Sequence, residues 1–416
     1  MASTNTTATT ATTTTTPSIR AWTYTTGGYP SCLQLTNIPA PHLPPPGAGE
    51  KGTKLLIRVT AASLNPVDIQ LMNLPLFTPS ALPFPLSTLF SRWPLDALAQ
   101  RVKGVGADYA GEVVAAQDGC GFSVGDKVFG LAFTPGGARG TLSEAMLLDA
   151  KSDVVLRTPR GWNDVQAASV PLVALTARTC VERCVGYVGS VDADADADEN
   201  DKNKTLVVLG GASATGLYTT LLAAHRGWRV VATCSAAKAA LVQGMGAARA
   251  IDYTAFSSGA ALRAEVAATK PVAIVDCVGG TDMLGIEGVR RYVTIVGDKT
   301  ARSAMGGAAT YLWNPRMAAR ALVSSYLGAD GWMRRTVAGW TGMGREAYAC
   351  VNLETRGEWL EEFVRVVEEA AAKRGDGKGV EDKVVVDSVY GFEDVKAAFE
   401  RLDTGRCRGK VVVTVP

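Results

Sequence analysis

The chain has 416 residues, of which 47% are hydrophobic, and a formal net charge of +2. This length predicts two domains with sizeable cores. The near balance of charge excludes the strong positive field that nucleic-acid binding uses, and no run of 18 or more apolar residues indicates a membrane span.

Eight cysteines and two histidines are scattered along the sequence. Cys180 and Cys184 lie four residues apart on a predicted helix, but no second pair follows at the spacing of a zinc site. His225 lies late in another predicted helix, where a surface or helix-end position is the simpler interpretation. Dispersed cysteines indicate reduced thiols. We therefore expect no metal site and a cytoplasmic protein.

The first 17 residues form a Thr-rich tail that can bury little apolar surface and is predicted to be disordered. The tail lacks acidic residues, as transit peptides do, but it has no arginine before Arg20 and no amphipathic pattern. Mitochondrial import is therefore the alternative location.

The next segments predict β structure with short turns. A strand is predicted from residue 54 to 62, and Asn65-Pro66-Val67-Asp68 predicts a turn that starts a short helix, which Asp68 is able to cap. Residues 74–101 carry five prolines among large apolar side chains. Such a loop flanks a substrate pocket, forms a partner contact, touches a membrane surface or packs against its own domain.

Short strands with Gly-rich turns follow from residue 103 to 159 and predict a small barrel. A helical pattern from 165 to 179 leads into the second domain. Residues 190–204 form an acidic low-complexity insert, which we interpret as a solvated loop rather than a metal site.

Residues 205–238 combine a strand, a small-residue turn, a helix and a second strand in about the length of a βαβ unit. Gly211 and Gly216 match the first and third glycines of a dinucleotide fingerprint, whereas Ser213 occupies the middle position. In this motif a pyrophosphate approaches N–H groups at a helix N-terminus. A serine side chain at this position keeps the pyrophosphate farther from the backbone than a glycine would, but its hydroxyl can donate to a phosphate oxygen. The alternative is a turn that binds no nucleotide.

The end of the second strand indicates which dinucleotide is bound. NAD sites place an acidic residue there for the ribose 2′-hydroxyl. Residues 232–238 contain no acid, and Ser235 and Lys238 are placed to accept a 2′-phosphate. The sequence therefore predicts NADP(H) rather than NAD(H).

Further strands alternate with helices and predict a parallel sheet that is covered on both faces. They are predicted at 250–253, 272–277, 292–296 and 348–353. Ligands bind at the carboxyl ends of such strands, which places residues 277–279 and 296–298 at the cofactor. Residues 300–345 are too long for a plain connection and wall a pocket or a dimer face. A helix at 358–373, a strand at 383–390, a helix at 392–402 and a final strand at 410–415 complete the chain.

Several segments together resemble the medium-chain dehydrogenase/reductase superfamily, in its zinc-free quinone oxidoreductase branch. Within that branch, the chain is most similar to the reticulon-interacting, mitochondrial type of NADPH oxidoreductase and its fungal relatives. The segments are AASLNPVDIQ (61–70), GADYAGEVV (106–114), VGDKVFG (124–130), GTLSE (140–144), QAASVPLVALTA (166–177), the unit at 205–238, DCVGG (276–280), YVTIVG (292–297) and RGKVVVTV (408–415).

The resemblance implies an α/β fold, in which a GroES-like β-barrel catalytic domain accompanies a Rossmann doubly wound parallel sheet. The barrel domain would cover residues 18–170 and the NADP(H)-binding domain 171–355, and residues 356–416 would return to the catalytic domain. The cofactor would lie in the cleft between the domains.

The resemblance also implies roles for individual residues. Asn65 and Asp68 would be catalytic, at a turn near the nicotinamide. The cofactor-binding residues would be Thr176 beside the cofactor; Gly211, Ala212, Ser213, Ala214, Thr215 and Gly216 at the pyrophosphate; Ser235 and Lys238 at the 2′-phosphate; Tyr253 at the adenosine; and Cys277, Val278, Val296 and Gly297 at the nicotinamide ribose.

The zinc-dependent branch is disfavoured by the residues themselves. Its first catalytic cysteine would occupy the turn that holds Asn65 and Pro66, and its Gly-His-Glu would occupy residues 106–108, which contain no histidine. Without a Lewis acid, alcohol oxidation by the metal route is disfavoured.

Hydride transfer from NADPH to a quinone or an activated C=C needs only a positioned cofactor and a proton. Solvent or an unidentified tyrosine would supply that proton. One alternative is a trans-acting enoyl reductase that works with a polyketide synthase on an acyl-thioester, because some fungal enzymes of that type carry a similar Ser/Ala/Thr-rich turn. Another is a scaffold protein that kept the fold but lost turnover. A homodimer is common in the resembling family.

Overall fold

The structure is a computed structural model. It describes residues 17–45, 52–73, 101–135, 137–192, 204–298, 316, 319–320, 347–351, 353–373 and 379–416. The predicted tail at 1–17, the Pro-rich loop at 74–101, the acidic insert at 190–204 and the 300–345 segment lie wholly or mostly outside the described residues. No helix in the described part is both long enough and apolar enough to cross a membrane.

Short strands dominate the first part of the chain. These strands are β1 (Ser18–Tyr24), β2 (Gln34–Pro39), β3 (Lys54–Leu64), β4 (Lys103–Gly104), β5 (Asp108–Ala116), β6 (Lys127–Leu131), β7 (Ala145–Asp149) and β8 (Val154–Arg157). Helices α1 (Pro66–Met72), α2 (Asp164–Ala168) and α3 (Pro171–Asp192) interrupt or follow them.

Strands and helices alternate in the remainder. The strands are β9 (Thr205–Leu209), β10 (Arg229–Cys234), β11 (Arg249–Asp252), β12 (Ala273–Asp276), β13 (Arg291–Thr294), β14 (Ala347–Cys350), β15 (Val386–Gly391) and β16 (Lys410–Thr414). The helices are α4 (Ala214–His225), α5 (Ala239–Gly244), α6 (Gly259–Ala268), α7 (Gly357–Ala372) and α8 (Val395–Asp403).

Six parallel strands form one sheet in the order β11-β10-β9-β12-β13-β14. Strand order therefore reverses between β9 and β12, which is the doubly wound topology with its ligand crevice at the carboxyl ends of these two strands. The predicted α/β class with a Rossmann-type sheet is confirmed.

The apolar runs form strands because both faces of this sheet are covered. In β9, Leu206 and Val208 belong to one core cluster, whereas Val207 and Leu209 belong to another on the opposite face. Successive side chains of a strand point to opposite faces, so a continuous apolar run indicates a strand buried on both sides. Helix α7 covers one face, where the Phe363 ring packs 4.5 Å from that of Tyr218 on α4.

A second, mostly antiparallel sheet has the order β15-β16-β3-β5-β6-β8, with β7 paired to β3. Strand β16 joins the C-terminus to the early chain, because Val411 pairs with Leu64 and Val413 with Ala62. The division of the chain near residues 170 and 355 stays a prediction.

Some predicted boundaries are wrong by a few residues. The strand predicted from 383 begins at Val386, because the N–H groups of Lys383 and Val384 bond to the Val380 carbonyl and close a 3₁₀ turn instead. The strand predicted to end at Tyr253 ends one residue earlier, since Tyr253 opens another 3₁₀ turn. Local turn bonds compete with the sheet at both places.

Gly130 in β6 is required by a close approach of backbones. A Cβ added there would lie 1.8 Å from the Val154 carbonyl oxygen, which also accepts a hydrogen bond from the Tyr109 hydroxyl. We expect Gly130→Ala to lower the free energy of unfolding by about 1–3 kcal/mol, measured by urea denaturation. Gly357→Ala is the control, because nothing lies within 4 Å of its added Cβ. Equal stability of the two variants would contradict the prediction.

Candidate active site

The turn after β9 has the geometry of an anion site. Gly210 has a φ of +72°, a conformation that favours glycine, and its N–H donates to Thr233 Oγ1 at 3.0 Å. Helix α4 begins at Ala214, and the Ser213 hydroxyl caps it by accepting from the Gly216 N–H at 3.1 Å. The predicted turn residues 211–216 thus lie together at a helix N-terminus.

Small residues keep this turn tight. A Cβ at Gly216 would lie 2.3 Å from the Gly210 carbonyl oxygen, and one at Gly211 would lie 2.6 Å from Ala232 Cβ. The N–H groups of Ala214 and Thr215 lie in the first turn of α4, where a helix offers no internal acceptor. These donors and the helix dipole suit a pyrophosphate.

A second cluster lies at the carboxyl ends of β10 and β11. Cys234 pairs with Asp252, so the next residues, Ser235 and Tyr253, follow adjacent strand ends. Lys238 closes the 3₁₀ turn after Ser235, and its Nζ lies 3.4 Å from the Cys407 carbonyl oxygen in the loop before β16. Three predicted adenosine-end residues are therefore near one another.

A third cluster joins the ends of β12 and β13. The buried Asp276 carboxylate accepts from the Val278 and Gly279 N–H groups at 2.8 and 2.9 Å. It also accepts from the Thr294 hydroxyl at 3.1 Å, which in turn accepts from the Gly297 N–H at 2.9 Å. Burial raises the pKa of Asp276, and the N–H donors oppose that rise. The sequence analysis missed this pair, which holds the two predicted ribose loops in place.

Two predicted cofactor residues connect the first and third clusters. Burial raises the pKa of the Cys277 thiol to about 12, and the Ser213 side chain of the turn opposes that rise. Val278 is 55% exposed, and its Cγ2 would lie 2.8 Å from a Cβ added at Gly210. Thr176 donates its hydroxyl to the Leu172 carbonyl of its own helix at 2.7 Å, so its predicted cofactor contact remains a prediction.

The predicted catalytic residues lie at the junction of β3 and α1. The Asn65 N–H donates to Asp68 Oδ2 at 2.7 Å, and both side chains are buried. Burial raises the pKa of Asp68 to about 7; the Asn65 N–H and the Lys410 charge oppose the rise, and the Asp108 charge adds to it. A carboxyl with such a pKa can hold or release a proton near neutral pH.

A buried charge network behind Asn65 was not predicted. Asp108 Oδ2 accepts from the Ser63 hydroxyl at 2.8 Å, from Asn65 Nδ2 at 2.9 Å and from Lys410 Nζ at 3.1 Å. Its Oδ1 accepts from the Leu172 N–H at 2.7 Å. The sequence did offer one signal, since Lys410 and Asp108 each adjoin a strongly apolar strand. Charged side chains buried in this way need partners.

A small cleft of about 20 Å³ opens beside α1, with room for water. Asp68, Tyr24, Phe133 and Arg139 are among its lining residues. Asn65 is not one of them, because its amide is held in the network behind the cleft. Of the two predicted catalytic residues, Asp68 is thus the one that lines the cleft.

The described residues contain no cluster of three or more His, Cys, Asp or Glu side chains suited to a metal ion. At the position where the zinc branch would carry Gly-His-Glu, the Asp108 carboxylate is already bonded to Lys410, Asn65, Ser63 and Leu172. These bonds keep the Asp108 carboxylate in an ion pair with Lys410, where its oxygens are not open to a metal ion.

The raised pKa of Asp68 predicts a pH-dependent stability. An unfolded aspartate loses its proton near pH 3.8, whereas folded Asp68 keeps it to about pH 7. Between these values the native state binds more protons, so its stability falls as pH rises. We expect Asp68→Asn to gain stability relative to the wild type as pH rises from 5 to 8, by up to about 3 kcal/mol, measured by urea denaturation.

Asp387→Asn is the matched control. Burial opposes ionisation of Asp387, but the hydrogen bonds from Arg401 and the Arg408 N–H hold its pKa below the usual value. That carboxylate stabilises the fold fully above the unfolded pKa near 3.8 and ceases to do so only as pH falls through its lower folded pKa, so its removal should cost about the same at pH 5 and pH 8 and less below about pH 4. The same pH trend in both variants would contradict the assignment for Asp68.

Two family models match the chain. One is described as "Alcohol dehydrogenase GroES-like domain" and matches residues 51–160. The other is described as "Zinc-binding dehydrogenase" and matches residues 245–413.

Among curated proteins, the chain is 26% identical to the mitochondrial NAD(P)H oxidoreductase RTN4IP1 of Mus musculus, over 95% of this chain and 89% of that protein. It is also 26% identical to the trans-enoyl reductase pgmF of Aspergillus terreus, over 96% of each chain.

Among solved structures, the quinone oxidoreductase from Coxiella burnetii matches with a TM-score of 0.59 and 21% identity, over 96% of this chain and 100% of that one. Mycobacterial Rv1454c complexed with NADPH matches with a TM-score of 0.58 and 20% identity, over 95% of this chain and 99% of that one. These likenesses show the fold. The two family models and the curated relatives together confirm the predicted resemblance to the medium-chain dehydrogenase/reductase superfamily and support an oxidoreductase of that kind.

Proposed function

We propose that the chain is a zinc-independent reductase that uses NADPH to reduce a quinone or an activated C=C bond. The observation that carries this proposal is the nucleotide corner, which comprises the turn at residues 210–216 together with Ser235 and Lys238 after β10. An anion site at the N-terminus of α4 lies beside a strand end that carries Ser235 and Lys238 and no acid. The relatives named as NAD(P)H oxidoreductases and the NADPH complex of a structural neighbour support the choice of cofactor.

The small residues of the turn and the helix N-terminus behind it suit the pyrophosphate of NADPH. Residues 211–216 would receive the pyrophosphate, and Ser235 and Lys238 the 2′-phosphate. Val278 and Gly297, on loops fixed by Asp276 and Thr294, would border the nicotinamide ribose. When bound, NADPH supplies the hydride.

The protein's own chemical contribution is the proton. We propose that Asp68 delivers it, because Asp68 is the carboxyl at the cleft and its pKa is raised to about 7. Its O–H bond would break as the reduced acceptor takes the proton, the electron pair would stay on the carboxylate, and water in the cleft would return a proton. This replaces the earlier expectation of solvent or a tyrosine as the acid.

Zinc independence is supported by the donor set. A metal at the barrel cleft would need a ligand that Asp108 cannot offer without breaking its bond to Lys410. A quinone or an enone accepts hydride without a Lewis acid, since its reduction requires only hydride and a proton.

The second candidate is a trans-enoyl reductase that works with a polyketide synthase on a carrier-bound enoyl-thioester. The relatives of that name in Aspergillus terreus and a Penicillium species favour it, as does the structural likeness to CurK enoyl reductase. A homodimer is also proposed. A cytoplasmic location remains the proposal, with mitochondria as the alternative that the name of the mouse relative supports.

Lys238 provides the test of cofactor choice. We expect Lys238→Ala to weaken NADPH binding about 10–100-fold, the loss of one charge-assisted hydrogen bond, and to leave NADH binding unchanged. Fluorescence titration of the purified protein measures both. Lys396→Ala, an exposed lysine on α8, is the control. Equal weakening toward NADH and NADPH would show that Lys238 does not read the 2′-phosphate.

Turnover tests the reaction itself. We expect NADPH oxidation with 1,4-naphthoquinone or an enone to persist unchanged after dialysis against a chelator, because no metal takes part. Loss of the rate with chelation and its return with zinc would refute zinc independence. Oxidation only with enoyl-thioesters on a carrier protein would replace the quinone reductase with the enoyl reductase. Failure of both nucleotides to bind would favour a scaffold role.

A further inference from the structure

A buried lysine from the last strand reaches the predicted catalytic turn. Lys410 is 4% exposed, and Asn65 and Asp108 are fully buried. Lys410 Nζ donates to Asn65 Oδ1 and to Asp108 Oδ2. Lys410 lies 345 positions from Asn65 and 302 from Asp108, and a lysine buried to this degree is rare unless it is paired.

The network fixes the amide of Asn65 at both ends. Its Oδ1 faces Lys410 and its Nδ2 faces Asp108. The backbone N–H of Asn65 then donates to Asp68, so the position of the Asp68 carboxyl follows from the position of Asn65. Asp108 extends the connection to α3 through the Leu172 N–H.

The carboxyl groups of Asp68 and Asp108 both lie near the ammonium group of Lys410, so they outnumber it. Lys410 is bonded to Asp108, and no cation among the described residues forms a salt bridge with Asp68. The Lys410 charge favours ionised Asp68, and the Asp108 charge disfavours it.

Two other groups face the cleft at Asp68. Tyr24 on β1 has a pKa raised by burial and further by Cys32 and Asp68, so it stays protonated near neutral pH. Arg139 is held by Asp153, with Nη–Oδ distances of 2.6 and 2.8 Å. Tyr24 therefore offers no competing proton near pH 7.

We propose that Lys410 is a positioning residue for the active site, which acts through Asn65 and Asp108 to hold the Asp68 carboxyl at the cleft. The effect of Lys410 on turnover rests on the reductase function proposed above. The effect of Lys410 on the titration of Asp68 can be measured in the protein without substrate.

The test titrates the Asp68 proton directly. The carboxylic acid C=O band of Asp68 is isolated as the infrared difference between otherwise identical proteins with and without Asp68→Asn. In the wild type we expect this band to be half lost near pH 7. Lys410→Met should move that midpoint upward by at least about one pH unit, and Asp108→Asn should move it downward.

Opposite shifts of the Asp68 midpoint in Lys410→Met and Asp108→Asn distinguish this role from a purely structural one. Disruption of the fold would move both midpoints in the same direction, and that result, or an unchanged midpoint in Lys410→Met, would overturn the proposal. Arg178→Met is the control. Arg178 is also buried and paired, with Glu362 and Glu182, and its loss should lower stability and leave the Asp68 midpoint unchanged.

A double variant covers the case in which a single variant does not fold. Lys410→Met with Asp108→Asn leaves no unpaired buried charge from this pair. Because the Lys410 charge acts more strongly on Asp68 than the Asp108 charge does, we expect a midpoint above the wild-type value. A midpoint at or below that value would overturn the proposal.

Turnover separates this proposal from the proposed function. The alkaline limb of kcat for NADPH with 1,4-naphthoquinone should follow the infrared midpoint in each variant, while KM for NADPH stays unchanged. If no acceptor is reduced, the reductase function fails and the infrared titration still decides the role of Lys410. If turnover occurs but the alkaline limb of kcat does not follow the infrared midpoint of Asp68, Asp68 is not the proton donor.

Discussion

The buried carboxylate of Asp108 connects the parts of the molecule that the proposed reaction needs. It accepts hydrogen bonds from β3, from the Asn65 amide, from the last strand through Lys410 and from the start of α3. An ionised carboxylate is costly to bury without such partners. The arrangement therefore holds only when the first, middle and last segments of the barrel are assembled together, which also places α1 beside its cleft.

The nucleotide corner was predictable because its constraints are local. A strand, a turn without bulky side chains and a largely buried helix follow one another within residues 205–225, and each part is recognisable from spacing and residue size. The positive φ of Gly210 and the crowding at Gly216 are properties of the turn itself. The same holds for the short helix after Asn65, whose proline and Asp68 mark its first turn.

The interactions that bring distant segments together were not predictable in this way. Asp108 and Lys410 are 302 residues apart, and nothing in the local pattern of either strand identifies the other as its partner. Asp276 and Thr294 were missed for a related reason, since strand order sets which ends meet. Boundary errors near residues 253 and 383 arose where a turn's own hydrogen bonds ended or delayed a strand. Asn65 shows the limit most clearly: its position was found, but its amide faces the network rather than the cleft.

The network also bears on why hydride acceptors without a metal requirement suit this cleft. A zinc site needs carboxylate, thiolate or imidazole lone pairs that are open to the ion. At Asp108 those lone pairs are occupied by an ammonium group, an amide, a hydroxyl and a backbone N–H. The Lys410 ammonium group is held by Asp108 and Asn65, whereas Asp68 lines the cleft and is the proton donor in the proposed reaction. In that reaction Asp68 would protonate an enolate or a quinol oxygen after hydride arrives. A proton donor of this kind suits the reduction of acceptors that are already electron-poor.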